Sequence, residues 1–136
     1  MTPLRAEGVA IGLGSALGAV ARFLTSAGMV QALGPAFPWG TLVVNVLGSY
    51  LIGLYAGLSG PGGALPASPV TRAFVLAGFC GGFTTFSFFS LETVLLLEAG
   101  AVMTAALHVI ASVVLWLLAV WAGHRAAMRW NGAPGP

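Results

Sequence analysis

Hydrogen-bonding side chains recur at helical spacing inside two apolar stretches of this sequence. They form two series with a member at every fourth position: Thr41, Asn45 and Ser49, and Thr104, His108 and Ser112. Residues four apart share one face of an α-helix, so each series predicts a polar stripe. One stripe alone is explained by hydrogen bonds between helices, or by hydroxyls that bond back to their own helix. Two matching stripes favour a polar pathway.

A third group of residues interrupts the longest apolar stretch. Residues 78–90 read GFCGGFTTFSFFS, and two glycines followed by two β-branched threonines are poor helix formers. We predict a break in the third helix near residues 81–84, where freed backbone groups could hold ions. Beyond it, Phe86 and Phe89 share one face, and the positive edge of an aromatic ring can contact an anion.

The chemistry of these groups suits a small anion. They supply hydroxyls, one amide and aromatic edges but no fixed charge, and conduction requires binding weak enough for release. Donors of this kind suit a small hard anion that accepts strong hydrogen bonds. The residue types alone do not name the ion.

The amino-acid composition indicates whether the helices that carry these residues lie in water or in lipid. Of 136 residues 58% are apolar and 6% are charged, against about 25% charged in soluble domains. The chain is therefore predicted to be an integral membrane protein. Its net charge of +2 comes from five scattered Arg, which is too diffuse for a nucleic-acid partner. The single Cys80 lies in an apolar run and is predicted to be a small buried hydrophobe.

Four apolar stretches reach the length of about 20 residues that a bilayer requires. We expect spans at about residues 8–30, 39–58, 70–97 and 101–123. They form one transmembrane domain over residues 1–130, followed by a flexible Gly/Pro-rich tail at 131–136. The N-terminal stretch is long and precedes three more spans, so we interpret it as a helix rather than a cleaved signal peptide.

Small residues and arginines add expectations about packing and orientation. Gly14 with Gly18, and Gly53 with Gly57, have the spacing of close helix–helix contacts in membranes. Four short spans enclose little volume, which also favours an oligomer. An even number of spans puts both termini on one side. Four of the five Arg would lie on that side, so the positive-inside rule favours cytoplasmic termini.

The run at residues 81–90, followed by Glu92, closely resembles the signature of Fluc (CrcB) fluoride channels. The resemblance extends to residues 14–23 and 39–49 and covers essentially the whole chain in order. It implies a fluoride-selective channel in the cell inner membrane that exports fluoride passively from the cytoplasm. It also implies an all-α fold, assembled as an antiparallel dual-topology homodimer with two pores.

The resemblance further implies which residues form the sites. Six side chains would line the fluoride pore: Thr41, Asn45, Phe86, Phe89, His108 and Ser112. Arg22 would stand near a pore entrance, although a snorkelling headgroup anchor explains it equally well. A central structural Na⁺ would be bound by backbone carbonyls of Gly81 and Thr84 from both subunits.

Two features depart from the family pattern. His108 stands where some relatives have a pore tyrosine; a neutral imidazole can donate a hydrogen bond, whereas protonation adds a charge. The Arg asymmetry is the second departure, because a dual-topology protein should show almost no orientation bias. We interpret this bias as too weak to decide insertion.

Three other functions compete with the channel. A proton-coupled small multidrug transporter needs a membrane-embedded carboxylate, but Glu7 is near the terminus, Glu92 lies past the aromatic pair and Glu98 is near a helix end. A non-transporting assembly subunit would leave the polar stripes unexplained. An enzyme is not expected, since no nucleophile–base spacing or metal cluster is visible.

Overall fold

The computed structural model describes residues 2–132, and four long apolar helical spans account for most of them. Their bounds are Pro3–Leu33, Trp39–Ser59, Pro69–Glu98 and Val102–Asn131. No β-strand occurs within residues 2–132. The prediction of an all-α, multi-pass membrane protein with four spans is thereby confirmed.

The first and fourth spans are longer than their apolar cores. The first begins at Pro3 rather than near residue 8, with a proline in the opening turn, where its missing N–H costs nothing. The fourth continues past residue 123 to Asn131. A helix of 30 residues is about 45 Å long, which exceeds a hydrocarbon core of about 30 Å. Hydropathy predicts which part of each helix lies in lipid. The helix ends lie outside the lipid, and residues beyond the apolar core determine them.

Asn131 belongs to the fourth helix, although the sequence predicted a flexible tail from this residue onward. Its side-chain amide donates to the carbonyl of Gly57 at 3.1 Å, and its Oδ1 accepts from the amide of Ala64 at 2.8 Å. These bonds hold the helix end to the second span and to the loop that follows it. The remainder of the predicted tail, residues 133–136, lies outside the described residues.

The third span consists of several helical segments. It begins as α-helix at Pro69–Arg72, widens to a π-helix at Ala73–Cys80, returns to α-helix at Gly81–Phe83 and ends with Phe86–Glu98. Nothing in the side-chain pattern predicts the π-helical register. Gly81 and Gly82, which were expected within a break, are helical.

Thr84 and Thr85 are the non-helical residues of the third span. Both have extended backbone, with φ and ψ of −80° and 160° at Thr84 and −152° and 119° at Thr85. The Thr84 amide and hydroxyl both donate to the Cys80 carbonyl at 2.9 Å. The Thr85 hydroxyl accepts from the Phe88 amide at 3.2 Å and caps the following helix. Local caps therefore close one helix and open the next.

The first and third spans meet through glycines on both sides. A Cβ atom on Gly18 would collide with the Phe79 carbonyl, and one on Gly82 would collide with the backbone of Ser15. Gly14 and Gly78 face each other in the same way. The prediction that Gly14 and Gly18 form a close helix–helix contact is confirmed. Gly82 allows the two helices to pack closely, and this packing offsets its low helix propensity, so the helix continues through it.

The second and fourth spans also pack at backbone distance. A Cβ atom on Gly53 would collide with the Val120 carbonyl, one on Gly123 with the Tyr50 carbonyl, and one on Gly57 with the Ala127 side chain. The predicted Gly53–Gly57 contact is confirmed. Both polar series are carried by this closely packed pair of helices.

Replacing Gly18 with alanine tests the contact between the first and third spans. We expect Gly18→Ala to lower the free energy of unfolding by about 1–3 kcal/mol, because the added methyl meets backbone that cannot move aside. The thermal midpoint of the detergent-purified protein measures this change. Gly12→Ala is the matched control on the same helix, since open space surrounds it. Equal midpoints for the two variants would contradict the contact.

Candidate functional site

The side-chain amide of Asn45 holds the non-helical residues of the third span. Its Nδ2 donates to the Thr85 carbonyl at 2.8 Å, and its Oδ1 accepts from the Thr85 amide at 2.7 Å. Backbone groups at bilayer depth must find partners inside the protein, and this carboxamide supplies both. One N–H of Asn45 then remains to donate elsewhere.

Phe89 lies at the centre of an aromatic and polar cluster. Its ring centroid is 5.1 Å from that of His108 and 4.9 Å from that of Trp116, which it meets edge to face. Phe86 lies 5.5 Å away at an interplanar angle of 45°. Phe89 is 7% exposed and Phe86 is 71% exposed. The aromatic pair therefore reaches from the interior of the chain to its surface.

Four side chains around Phe89 contain buried polar atoms that have no hydrogen-bond partner within residues 2–132. These atoms are both ring nitrogens of His108, Oγ of Ser112, Nε1 of Trp116 and Oε2 of Glu92. Buried polar atoms are nearly always paired, and each one left unpaired costs about 1–3 kcal/mol. His108 and Ser112 have no exposed surface at all. The cluster thus offers several unpaired hydrogen-bonding groups to a small polar ligand.

Glu92 comes closer to this cluster than its sequence position suggests. Its Oε2 lies 3.9 Å from Nε2 of His108. Glu92 follows Phe89 by three residues, so the two share one helix face. From its order in the chain, Glu92 was expected to lie past the aromatic pair. The helical spacing of Phe89 and Glu92 would have predicted their proximity. A carboxyl group can donate to an anion only when it is protonated.

A cavity of about 740 Å³ opens on one side of the cluster. Thr41, Thr85 and Phe88 contribute to its wall, and Arg22 and Glu92 are its two charged lining residues. The Arg22 guanidinium carbon lies 5.7 Å from the Phe88 ring centroid, within the range of a cation–π contact. A positive charge therefore lies in the larger cavity.

A second cavity, of about 210 Å³, lies at the other side of the Asn45–Thr85 pair. Polar residues of its wall are Asn45, Ser49, Thr84 and Thr85, and its aromatic residues are Phe86 and Trp116. Thr85 lines both cavities. A series of contacts joins the two: Glu92 of the larger cavity, His108, Phe89, and Trp116 of the smaller one.

Of the pore residues selected from the sequence, Thr41 lines the larger cavity, and Asn45 and Phe86 line the smaller one. Phe89 and His108 lie in the cluster instead. The side chains of Thr41, Asn45, Phe89, His108 and Ser112 are buried. Ser49 and Thr104 are half-buried, and Gly81 is exposed in the single chain. Within residues 2–132, no group of three His, Cys, Asp or Glu side chains could hold a metal ion. A cation in this part would depend on backbone or hydroxyl oxygens.

Comparison with known proteins supplies the family. The family model described as CrcB-like protein, Camphor Resistance (CrcB), matches residues 9–124. The chain belongs to the CrcB family. A protein of Rhodopseudomonas palustris named fluoride-specific ion channel FluC 1 is 49% identical, covering 92% of this chain and 89% of its own. One of Opitutus terrae, named fluoride-specific ion channel FluC, is 50% identical, covering 92% and 95%.

These matches confirm the resemblance to the Fluc (CrcB) channels. The CrcB family and its named relatives are ion channels, not enzymes. A third relative, from Rhizobium meliloti and also named fluoride-specific ion channel FluC, is 50% identical over 83% of this chain and 89% of its own.

Trp116 belongs to the cluster around Phe89, but it was not predicted from the sequence as a site residue. It follows Ser112 by four residues and so continues the series that includes His108. Tryptophan counts as apolar in a search for polar stripes, but its indole N–H is a hydrogen-bond donor. Extending the fourfold spacing by one step would have found it.

The Asn45–Thr85 hydrogen bonds predict a large effect of removing the amide. We expect Asn45→Leu to lower the free energy of unfolding by about 2–6 kcal/mol, because it leaves two buried backbone groups of Thr85 unpaired. Thermal midpoints and hydrogen exchange at the Thr85 amide measure the loss. Ser49→Ala, one turn further on, should match the wild type in both. Wild-type stability of Asn45→Leu would refute this role.

Proposed function

We propose that this protein is a fluoride-selective channel through which fluoride leaves the cytoplasm passively. The observation that carries the proposal is that His108, Ser112 and Trp116 each hold a buried polar atom with no hydrogen-bond partner within residues 2–132, in the cluster around Phe89. Uncharged donors bind a small anion without trapping it, as conduction requires. Relatives about 50% identical over most of the chain are named fluoride-specific ion channels, which supports fluoride as the ion.

The path begins in the larger cavity. Arg22 raises the local concentration of anions there, because a positive charge between low-dielectric walls attracts them. Thr41 offers a hydroxyl on the same wall, at the point where the polar series of the second span begins. Arg22 thus acts at an entrance, and Thr41 extends the polar lining inward.

The middle of the path passes the aromatic pair. The imidazole of His108 and the hydroxyl of Ser112 can each donate to the anion, and the edges of Phe86 and Phe89 carry partial positive charge. The helix Phe86–Glu98 begins beside them, and the positive end of its dipole favours an anion at this depth. Asn45 contributes its remaining N–H while its other groups hold Thr85.

The working unit is an antiparallel, dual-topology homodimer with two pores in the cell inner membrane. Four spans enclose little volume by themselves, which supports a second chain in the working unit. The bias of four Arg against one is too small to impose a single orientation.

A structural Na⁺ on the dimer axis fits the oxygens available at the interruption. The short helix Gly81–Phe83 ends at Thr84, and the last carbonyls of a helix have no intrahelical donor. Carbonyls of Gly81 and Thr84 from both chains would hold the ion, as unwound backbone holds Na⁺ in transporters. When bound, the ion would supply a positive charge that joins the two subunits.

One observation favours a second candidate, a proton-coupled small multidrug transporter that exchanges protons for cationic drugs. Such a transporter needs a carboxylate inside the membrane, and Glu92 is partly buried beside His108. In a transporter of this kind, flux would depend on a proton gradient.

Release of anions from liposomes tests the channel directly. Liposomes that contain the purified protein are loaded with potassium fluoride or potassium chloride, and a potassium carrier removes the membrane potential. We expect rapid loss of fluoride and retention of chloride, because the donors favour the small hard anion. Protein-free liposomes provide the baseline. Equal release of both ions, or release of neither, would exclude a fluoride channel.

Replacing each ring of the aromatic pair tests its place in the pore. Phe86→Ile and Phe89→Ile should each lower fluoride flux about tenfold, because an aliphatic side chain has no positive edge. Phe79→Ile is the matched control on the same span, where Phe79 stacks on Phe83 at 5.8 Å. Size-exclusion chromatography reports whether the oligomer survives. Wild-type flux in both pore variants would remove the rings from the pathway.

A further inference from the structure

Trp116 is a tryptophan whose polar atom has no hydrogen-bond partner in the part of the chain that the structure describes. Its Nε1 is buried without a hydrogen bond, whereas Trp39, Trp121 and Trp130 are exposed. An indole nitrogen donates and cannot accept. Leaving such a donor unpaired in a membrane interior is unfavourable, so the position favours an acceptor that residues 2–132 do not supply.

The surroundings of Trp116 offer hydrogen-bond donors to an anion. The smaller cavity has no charged residue in its wall, and Asn45 and Ser49 add an amide N–H and a hydroxyl that can donate. The side-chain oxygen of Asn45 already accepts a hydrogen bond from the Thr85 amide, so it is less able to accept another. A small anion would accept hydrogen bonds from this wall.

Trp116 is also connected to the aromatic pair. Its ring meets the ring of Phe89 edge to face, at a centroid distance of 4.9 Å and an interplanar angle of 72°. Ser112 lies one helical turn earlier, and its buried Oγ is also unpartnered. An anion that leaves Ser112 and Phe89 toward the smaller cavity would meet the indole N–H next.

We propose that the indole N–H of Trp116 donates a hydrogen bond to the permeating anion and helps the channel distinguish fluoride from chloride. This inference rests on the proposed channel function. The physical basis is that a small anion concentrates its charge and gains more from one fixed donor than a larger halide does. Trp116 is therefore a specificity-determining residue at the junction of the pore and the smaller cavity.

A pair of substitutions separates the donor from the bulk of the ring. Trp116→Phe keeps an aromatic ring without a donor, and we expect roughly a tenfold loss of fluoride flux from liposomes. Trp116→Thr restores a hydroxyl donor in less space, and its flux should exceed that of the phenylalanine variant several-fold. Trp121→Phe, on an exposed position of the same helix, should conduct like the wild type.

Indole fluorescence gives a second readout that a purely structural role would not produce. Addition of fluoride should change the emission of the wild type and of Trp121→Phe, and the change should be absent in Trp116→Phe. Chloride should leave the emission of all three unaltered. This measurement does not require the threonine variant to fold.

The outcomes distinguish the inference from the function on which it rests. Wild-type liposomes that release no fluoride would overturn both. Normal wild-type flux with equal flux in Trp116→Phe would overturn the inference alone. So would a threonine variant that folds but conducts no better than the phenylalanine variant, or a fluoride-dependent emission change that persists in Trp116→Phe.

Discussion

In hydrocarbon, a backbone amide or carbonyl that leaves a helix has no water to bond, and Thr84 and Thr85 place such groups in the middle of the third span. The chain meets this constraint with one side chain from another span. The carboxamide of Asn45 pairs with both backbone groups of Thr85, and the Thr85 hydroxyl caps the helix that follows. Without these bonds, the two helices and the rings they carry would lose their relative positions.

Close helix packing makes that arrangement possible. Glycines let the first span lie against the π-helical part of the third, and others let the second lie against the fourth. The second and fourth spans then bury the polar series that contain Asn45 and His108. The same packing that stabilises the fold also leaves several buried polar atoms around Phe89 without a hydrogen-bond partner within residues 2–132.

The spans and polar series could be predicted because lipid imposes hydropathy and the helix imposes fourfold spacing. Asn45 was recognised as a buried amide, but its pairing with Thr85 depends on how two spans lie together, which a single sequence does not give. Glu92 was placed by its order in the chain rather than by its helix face. Trp116 was counted as apolar. The π-helix differs from an α-helix in the register of its backbone hydrogen bonds, which the side-chain pattern does not reveal.

A passive path for fluoride is tested most directly by the reversal potential of the current across a planar bilayer. With unequal fluoride on the two sides and chloride balancing the ionic strength, the current should reverse at the fluoride equilibrium potential, about 59 mV for each tenfold ratio. An imposed pH gradient should leave that value unchanged. Reversal at the chloride equilibrium potential, or a value that follows the pH gradient, would contradict a passive fluoride channel.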